Sequence, residues 1–144
     1  MSFDRVADIY DKTFTYSHIG RLQRELVHRY LDQWIGGRKG LKVLELNCGT
    51  GEDALFLARQ GCEVLATDLS MPMVQVARDK IRATQVERQV RFQQMAIEEL
   101  VQCPVHEQYD LIFSNFGGFN CISPRDLASL QEALADRLRP GGYL

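Results

Sequence analysis

Long hydrophobic runs, basic blocks and paired cysteines are all missing from this chain of 144 residues. No stretch is apolar enough for a membrane span, and the opening MSFDRVADIYD lacks the basic start and apolar centre of a secretion signal. A cytoplasmic protein without membrane partners is the expectation. Lysine and arginine number 17 against 19 acidic residues, a formal charge of -2, with no basic cluster. A nucleic acid backbone demands a concentrated positive footprint, so a nucleic acid partner finds no support. Cys48, Cys62, Cys103 and Cys121 form no CxxC pair, and His18, His28 and His106 lack ligand spacing. Free thiols and no metal site are therefore expected. A GxxxxGK[ST] phosphate loop is absent too, because the glycine-rich loop after residue 46 carries no lysine.

What is present is an alternation. The length and the 45% hydrophobic composition suit one core. A short helix and loop are expected over FDRVADIYDKTFTYSH, then a longer helix near 18–34. Ile19, Leu22, Leu26, Tyr30 and Leu31 recur in it at helical spacing, and Gly36, Gly37 and Gly40 end it. LKVLEL, CEVLATD, VRFQQM and YDLIFSN read as four strands. Helices are expected over about 52–60, over SMPMVQVARDKIRAT with Met73, Val74, Ala77 and Ile81 inward, and over SPRDLASLQEALADRL. Ser123 is placed to cap that last helix, with Asp126 set for a reciprocal contact and Leu127, Leu130, Leu134 and Leu138 as its apolar face. Strands alternating with helices through short loops predict an α/β fold: a three-layer, Rossmann-like, doubly wound parallel sheet. Residues 1–35 would form a helical lid and 36–144 the core. The chain stops at RPGGYL, where a turn launches a further strand. The sheet is thus expected to be cut short after strand four or at the start of strand five, leaving an unpaired edge open to self-association.

In such a sheet, ligands lie beyond the carboxyl ends of the strands. The first strand-to-helix loop there carries Gly49-Thr50-Gly51. Glycine lets backbone approach a ligand, and the following helix points free amides at the same space. Gly49-Thr50-Gly51-Glu52-Asp53-Ala54 also fits G-x-G-x-x-A, with Asp68 19 residues beyond Gly49. By spacing alone a nicotinamide dinucleotide stays open. Glu45 before the glycines, with Glu52 and Asp53 after them, is awkward beside a pyrophosphate and suits a cationic ligand. An adenosine with a ribose diol, an amino group and no phosphate satisfies these residues; S-adenosylmethionine has that composition.

Taken together, VLELNCGTGEDALFLA, VLATDLS, YDLIFSNFGGFNC, LRPGGYL and the opening FDRVADIYD resemble, in order and over essentially the whole chain, the class I, Rossmann-like S-adenosylmethionine-dependent methyltransferases of the small-molecule type. The resemblance implies S-adenosylmethionine as cofactor and a small-molecule methyl acceptor. It implies Gly49, Thr50 and Gly51 along the methionyl part, Glu45 near its amino group, and Asp68 on both ribose hydroxyls. Leu69 and Met73 would pack near the adenine, with Ala96 and Ile97 also against its ring. Asn115 and Phe116 would border the methionyl chain and the methyl group, and Tyr10 and Tyr16 would close from the N-terminal side.

Two positions depart from the family pattern. Asn47 stands where glycine is common, and its tolerance of left-handed backbone would keep the bend with its side chain toward the cofactor. Ala96 stands where many members place an aspartate for the adenine, and Glu98 is the nearest substitute. The stretch NFGG replaces the N/D-P-P-Y/F run of base-methylating enzymes, which favours a small acceptor. The reaction expected is in-line attack by an oxygen, nitrogen or carbon nucleophile, with no catalytic base identified. The alternatives are a non-catalytic cofactor-binding scaffold and an NAD-dependent oxidoreductase.

Overall fold

The structure, a computed structural model, describes residues 3–144, apart from the side chains of Phe3 and Cys121. Five strands, β1 Lys42–Leu46, β2 Glu63–Asp68, β3 Val90–Gln94, β4 Tyr109–Ser114 and β5 Leu138–Tyr143, form one sheet in the order β3-β2-β1-β4-β5. All its pairings are parallel. After α1 Ala7–Tyr10, a π-helical turn Asp11–Thr15 leads into α2 His18–Ile35. The crossovers are α3 Glu52–Arg59, α4 Met71–Arg82 and α5 Pro124–Ala135, while a short helical turn, Ile97–Val101, stands between β3 and β4. The chain moves outward from β1 to β3 and returns to place β4 beside β1. The order reverses there, and a crevice opens beyond the ends of β1 and β4.

Two apolar layers sandwich the sheet because alternate strand residues point to opposite faces. Val43 and Val64 join Leu31 and Ile35 of α2, Leu57 of α3 and Ile81 of α4 in one layer. Leu44, Leu46 and Ile112 join Leu130 and Leu134 of α5 in the other. Each fully buried Leu or Ile contributes about 2–3 kcal/mol relative to exposure. The expected inward face of α4 is buried as read, at Met73, Val74, Ala77 and Ile81.

Four expectations are corrected. Strand four is not an unpaired edge: Tyr109 lies opposite Leu138 and Leu111 opposite Tyr143. The RPGG turn is absorbed between those two pairs as an irregularity, with Gly141 at φ +79°. The open edge on this side of the sheet is therefore β5 and not β4. In α2 the stripe Ile19, Leu22, Leu26 and Tyr30 faces outward, each residue at least half exposed, and of the five expected residues only Leu31 is buried. The buried face is instead set by Leu31 and Ile35, with Val27 and Trp34 beside them. In α5, Leu127 is exposed while Leu130 and Leu134 are buried. Ser123 caps α5 through the Asp126 amide at 3.2 Å, but the Asp126 carboxylate accepts from the Ser123 hydroxyl at 2.6 Å rather than from its backbone.

Candidate functional site

The loop after β1 is bent by a run of left-handed residues: Asn47 at φ +50°, Gly49 at +53° and Gly51 at +80°. Its backbone is tied to β2 by Cys48 N donating to Thr67 O at 2.8 Å, and closed by Gly51 N donating to Cys48 O at 3.0 Å. Asp68 clamps two loops. One carboxylate oxygen accepts from Gly49 N at 2.8 Å and the other from Ser70 N at 2.9 Å. Each oxygen retains further lone-pair capacity. The two glycines differ in what they face. A Cβ on Gly49 would meet nothing within 4 Å, whereas one on Gly51 would lie 2.7 Å from Ala77 Cβ on α4. Gly51 lets α3 and α4 pack; Gly49 leaves room above the loop.

Asn47 does in side chain what a third glycine could not. Its Nδ2 donates to Asn115 O at 2.7 Å and its Oδ1 accepts from the Ser114 hydroxyl at 2.5 Å, joining the β1 and β4 loops. A Cβ on Gly118 would fall 2.2 Å from Asn47 Oδ1, which accounts for glycine in the NFGG stretch. The Asn47 side chain is thus committed to the β4 loop rather than reaching freely toward a ligand.

Over these loops lies a cavity of about 300 Å³. Of the residues expected at the site, the structure brings eleven to its wall: Tyr10, Asn47, Gly49, Thr50, Asp68, Leu69, Met73, Ala96, Ile97, Asn115 and Phe116. Three lie elsewhere. Gly51 packs on α4. Glu45 is 1% exposed beneath the loop. Tyr16 is about half exposed and reaches Glu52 Oε1 at 3.4 Å, outside the wall. Met95 and Ile122 add apolar surface, and Glu98 sits at the wall near Ala96, where the missing adenine aspartate would stand.

Arg24 and Asp53 also line the cavity, and neither was singled out from sequence as a site residue. Asp53 Oδ1 lies 2.7 Å from His28 Nε2 and 3.2 Å from Arg24 Nε, and its Oδ2 accepts from Asn115 Nδ2 at 3.0 Å. Burial works to raise the Asp53 carboxyl, but the His28 hydrogen bond and the Arg24 charge outweigh it and hold it below the usual range. Arg24 stands 4.9 Å over the Phe116 ring, and both its Nε and its Nη1 are buried with no hydrogen-bond partner, the approach to Asp53 being an ion pair only. Glu45 is the opposite case. Its Oε2 is buried and unpaired; burial, then the nearby Asp53 charge, pushes its carboxyl well above the ordinary range. Their positions are legible only in three dimensions, since Arg24 and His28 reach Asp53 across more than twenty residues of sequence.

The N-terminal segment is fastened over the same crevice. Asp4 Oδ1 accepts from the Ser70 hydroxyl at 2.5 Å, and Asp11 Oδ1 from the Thr50 hydroxyl at 2.6 Å. Lys80 bridges Asp11 at 2.5 Å and Glu52 at 2.6 Å. Tyr10, Phe14 and Phe116 follow one another at ring separations of 5.5 Å. Among the described residues, no group of three or more histidines, cysteines or acids is placed to hold a metal, and no helix is long and apolar enough to cross a membrane.

A parallel, doubly wound sheet with a clamped acid after β2 and an open cradle at Gly49 defines a Rossmann-like cofactor-binding domain. Residues 43–142 match the family described as a methyltransferase domain, and the chain belongs to that family. Among curated proteins it is 33% identical over 119 residues to the ubiquinone biosynthesis O-methyltransferase of Alkalilimnicola ehrlichii, covering 80% of this chain and 44% of that one. The chain spans less than half the length of this and similar relatives. Among solved structures, a Methanococcus maripaludis protein described as an S-adenosyl-L-methionine-dependent methyltransferase superposes with a TM-score of 0.79 at 19% identity, over 99% of this chain and 62% of its own. The glycopeptide N-methyltransferase MtfA, crystallised with S-adenosyl-L-methionine, gives 0.69 at 22% identity over 81% of this chain and 50% of its own. These two likenesses speak to the fold.

Proposed function

We propose that this chain binds S-adenosylmethionine and forms the cofactor-holding part of a methyltransferase acting on a small molecule. The observation that carries the reading is hydrogen-bonding capacity left unmet. Two ionisable side chains of opposite sign, Glu45 and Arg24, have buried polar atoms without hydrogen-bond partners at and beneath one cavity. A free amino acid end, with its ammonium and carboxylate, answers both. Asp68, with an unused lone pair on each oxygen, suits the vicinal hydroxyls of a ribose. The apolar wall of Leu69, Met73, Met95, Ile97 and Ile122 suits a purine. Asp53, a carboxylate held ionised at the start of α3 and lining the cavity, stands where a dinucleotide would set its pyrophosphate, which weighs against NAD.

Bound there, S-adenosylmethionine supplies a methyl group already activated on a sulfonium. The chain's residues orient it. Asp68 fixes the nucleoside, Gly49 and Arg24 border the amino acid end with Glu45 acting from beneath the loop, and the Asn115–Phe116 loop borders the methyl. Tyr10 and Phe14 cover the crevice, keeping water from the acceptor's path. The acceptor is read as a small molecule because the chain carries a formal charge of -2 and no basic block. The likeness to curated O-methyltransferases agrees with a heteroatom nucleophile. A cytoplasmic location goes with this reading.

Isothermal titration tests it. S-adenosylmethionine and its demethylated product, S-adenosylhomocysteine, should bind saturably while NAD gives no heat. Saturable NAD binding with no heat from either sulfur ligand at millimolar concentration would overturn the proposal.

A further inference from the structure

Asp53 is 4% exposed and faces the cavity, yet none of the ligand contacts proposed above uses it. It is the meeting point of three elements. From α2 come His28 and Arg24, both on Oδ1 at 2.7 and 3.2 Å; from the β4 loop comes Asn115, on Oδ2 at 3.0 Å. A carboxylate can only accept, so the His28 Nε2 facing it carries a hydrogen. Asn115 passes the constraint on. Its Oδ1 accepts from Phe116 N at 2.8 Å, and its carbonyl accepts from Asn47 Nδ2 at 2.7 Å. Phe116 is held at φ +53°, a conformation that costs a non-glycine residue energy and persists only when neighbours impose it. Arg24 closes the circle over the Phe116 ring at 4.9 Å.

We infer that Asp53 is a positioning residue that aims the Arg24 guanidinium and the Asn115–Phe116 loop at the amino acid end of the cofactor. This rests on the cofactor reading above. The Asp53 charge compensates a largely buried Arg24, whose side chain is only 13% exposed. It holds Arg24 beside the cavity as an ion pair at 3.2 Å, without the alignment of a hydrogen bond, so the guanidinium keeps donors for a ligand. The same carboxylate, through Asn115, holds Phe116 where it borders the methyl. The requirement is for two accepting oxygens. Asparagine has the same shape but offers one acceptor and one donor, so Asp53→Asn must present a donor either to Asn115 Nδ2 or to the His28–Arg24 pair.

The test compares two probes by titration calorimetry. S-adenosylhomocysteine has the amino acid end; 5′-methylthioadenosine keeps the adenosine and thioether but lacks it. Asp53→Asn should weaken S-adenosylhomocysteine about tenfold or more, in line with loss of a charge-assisted contact. Methylthioadenosine should change less than about twofold. In an Arg24→Gln background, Asp53→Asn should add little to the loss of S-adenosylhomocysteine binding, because the two act as a unit. Equal losses for both probes, fully additive losses, or an unchanged S-adenosylhomocysteine affinity would each overturn the inference. If Asp53→Asn does not fold, Arg24→Gln and Asn115→Ala test the two arms separately. Should neither lower S-adenosylhomocysteine relative to methylthioadenosine, Asp53 has nothing to act through and the inference fails. A wild-type chain that binds neither probe refutes the cofactor reading itself, which is a distinct result.

Discussion

Substituting alanine for Gly51 and, separately, for Gly49 should separate packing from ligand contact within one loop. At Gly51 the new methyl would stand 2.7 Å from Ala77 Cβ and 3.2 Å from its Cα, on a helix position that is itself fully buried. Neither partner is a flexible side-chain end, so α3 or α4 must move. Overpacking of this kind costs about 1–3 kcal/mol, and the φ of +80° adds about 1–2 kcal/mol for a residue with a Cβ. The sum, roughly 2–5 kcal/mol, corresponds to a loss on the order of 10 °C in Tm for a domain of this size. At Gly49 only the conformational part applies, because a Cβ there meets nothing within 4 Å. Gly49→Ala should therefore melt within a few degrees of the wild type, yet lose cofactor affinity, since its methyl enters the cavity. Thermal unfolding followed by circular dichroism, with calorimetric titration beside it, gives both readouts. Ala77→Gly should recover part of the Gly51→Ala loss by removing the opposing methyl, offset by about 1 kcal/mol of lost helix propensity. If Gly51→Ala melts like the wild type while binding disappears, Gly51 is a ligand contact and the packing argument is wrong.

Two further tests concern buried and paired carboxylates. Hydrogen bonds from Lys42 at 2.8 Å and Arg91 at 2.6 Å hold the Glu107 carboxyl down at about 2, so its contribution is present above about pH 4.5 and disappears as pH falls toward 2. Full linkage would give about 3 kcal/mol, but the carboxylate is 26% exposed and Arg91 mostly so, which reduces the expectation to about 1 kcal/mol. In urea unfolding, Glu107→Gln should trail the wild type at pH 7 and match it near pH 2; a difference independent of pH would contradict this origin. Glu45 has the reverse sign: burial, then Asp53, raises its carboxyl, so its stability contribution is full below about pH 4.5 and lost as pH climbs through the raised value. Without cofactor, Glu45→Gln should be near neutral at pH 4, stabilise by about 1–2 kcal/mol at pH 8, and still weaken S-adenosylmethionine. A variant less stable than the wild type at pH 8 would show that the buried carboxylate is satisfied in a way the unpaired Oε2 denies.

The parts of this molecule that sequence makes legible are those delivered by topology. A strand that reads VLEL must be central, and whatever follows it in an α/β sheet arrives at the crevice; so Asn47, Gly49, Asp68 and Asn115 reach the cavity wall without knowledge of any distance. The α4 helix was equally legible, because Met73, Val74, Ala77 and Ile81 form its one apolar stripe. The α2 helix carries two stripes, and periodicity is blind to which one faces the sheet. Leu31 and Ile35, with Val27 and Trp34, pack on β1 and α3, while Ile19, Leu22, Leu26 and Tyr30 remain at the surface. Gly51 shows a related ambiguity: a glycine needed for helix packing and one needed for a ligand leave the same mark in a sequence. Arg24 left no mark, His28 was read only as lacking metal-ligand spacing, and Asp53 only as a negative charge at the start of a helix. Their meaning arises from α2 crossing the start of α3 so that one acid meets two basic side chains and the β4 loop together. Charge on a helix ordinarily signals a solvated face, and here the same residue types form a buried junction beside the cavity. The site thus has two layers of different origin. Strand order supplies the groups proposed to touch the nucleoside, while cross-element packing supplies the groups proposed to aim its amino acid end. The second layer can vary between relatives that share the first, because nothing in the sheet topology requires an acid at position 53.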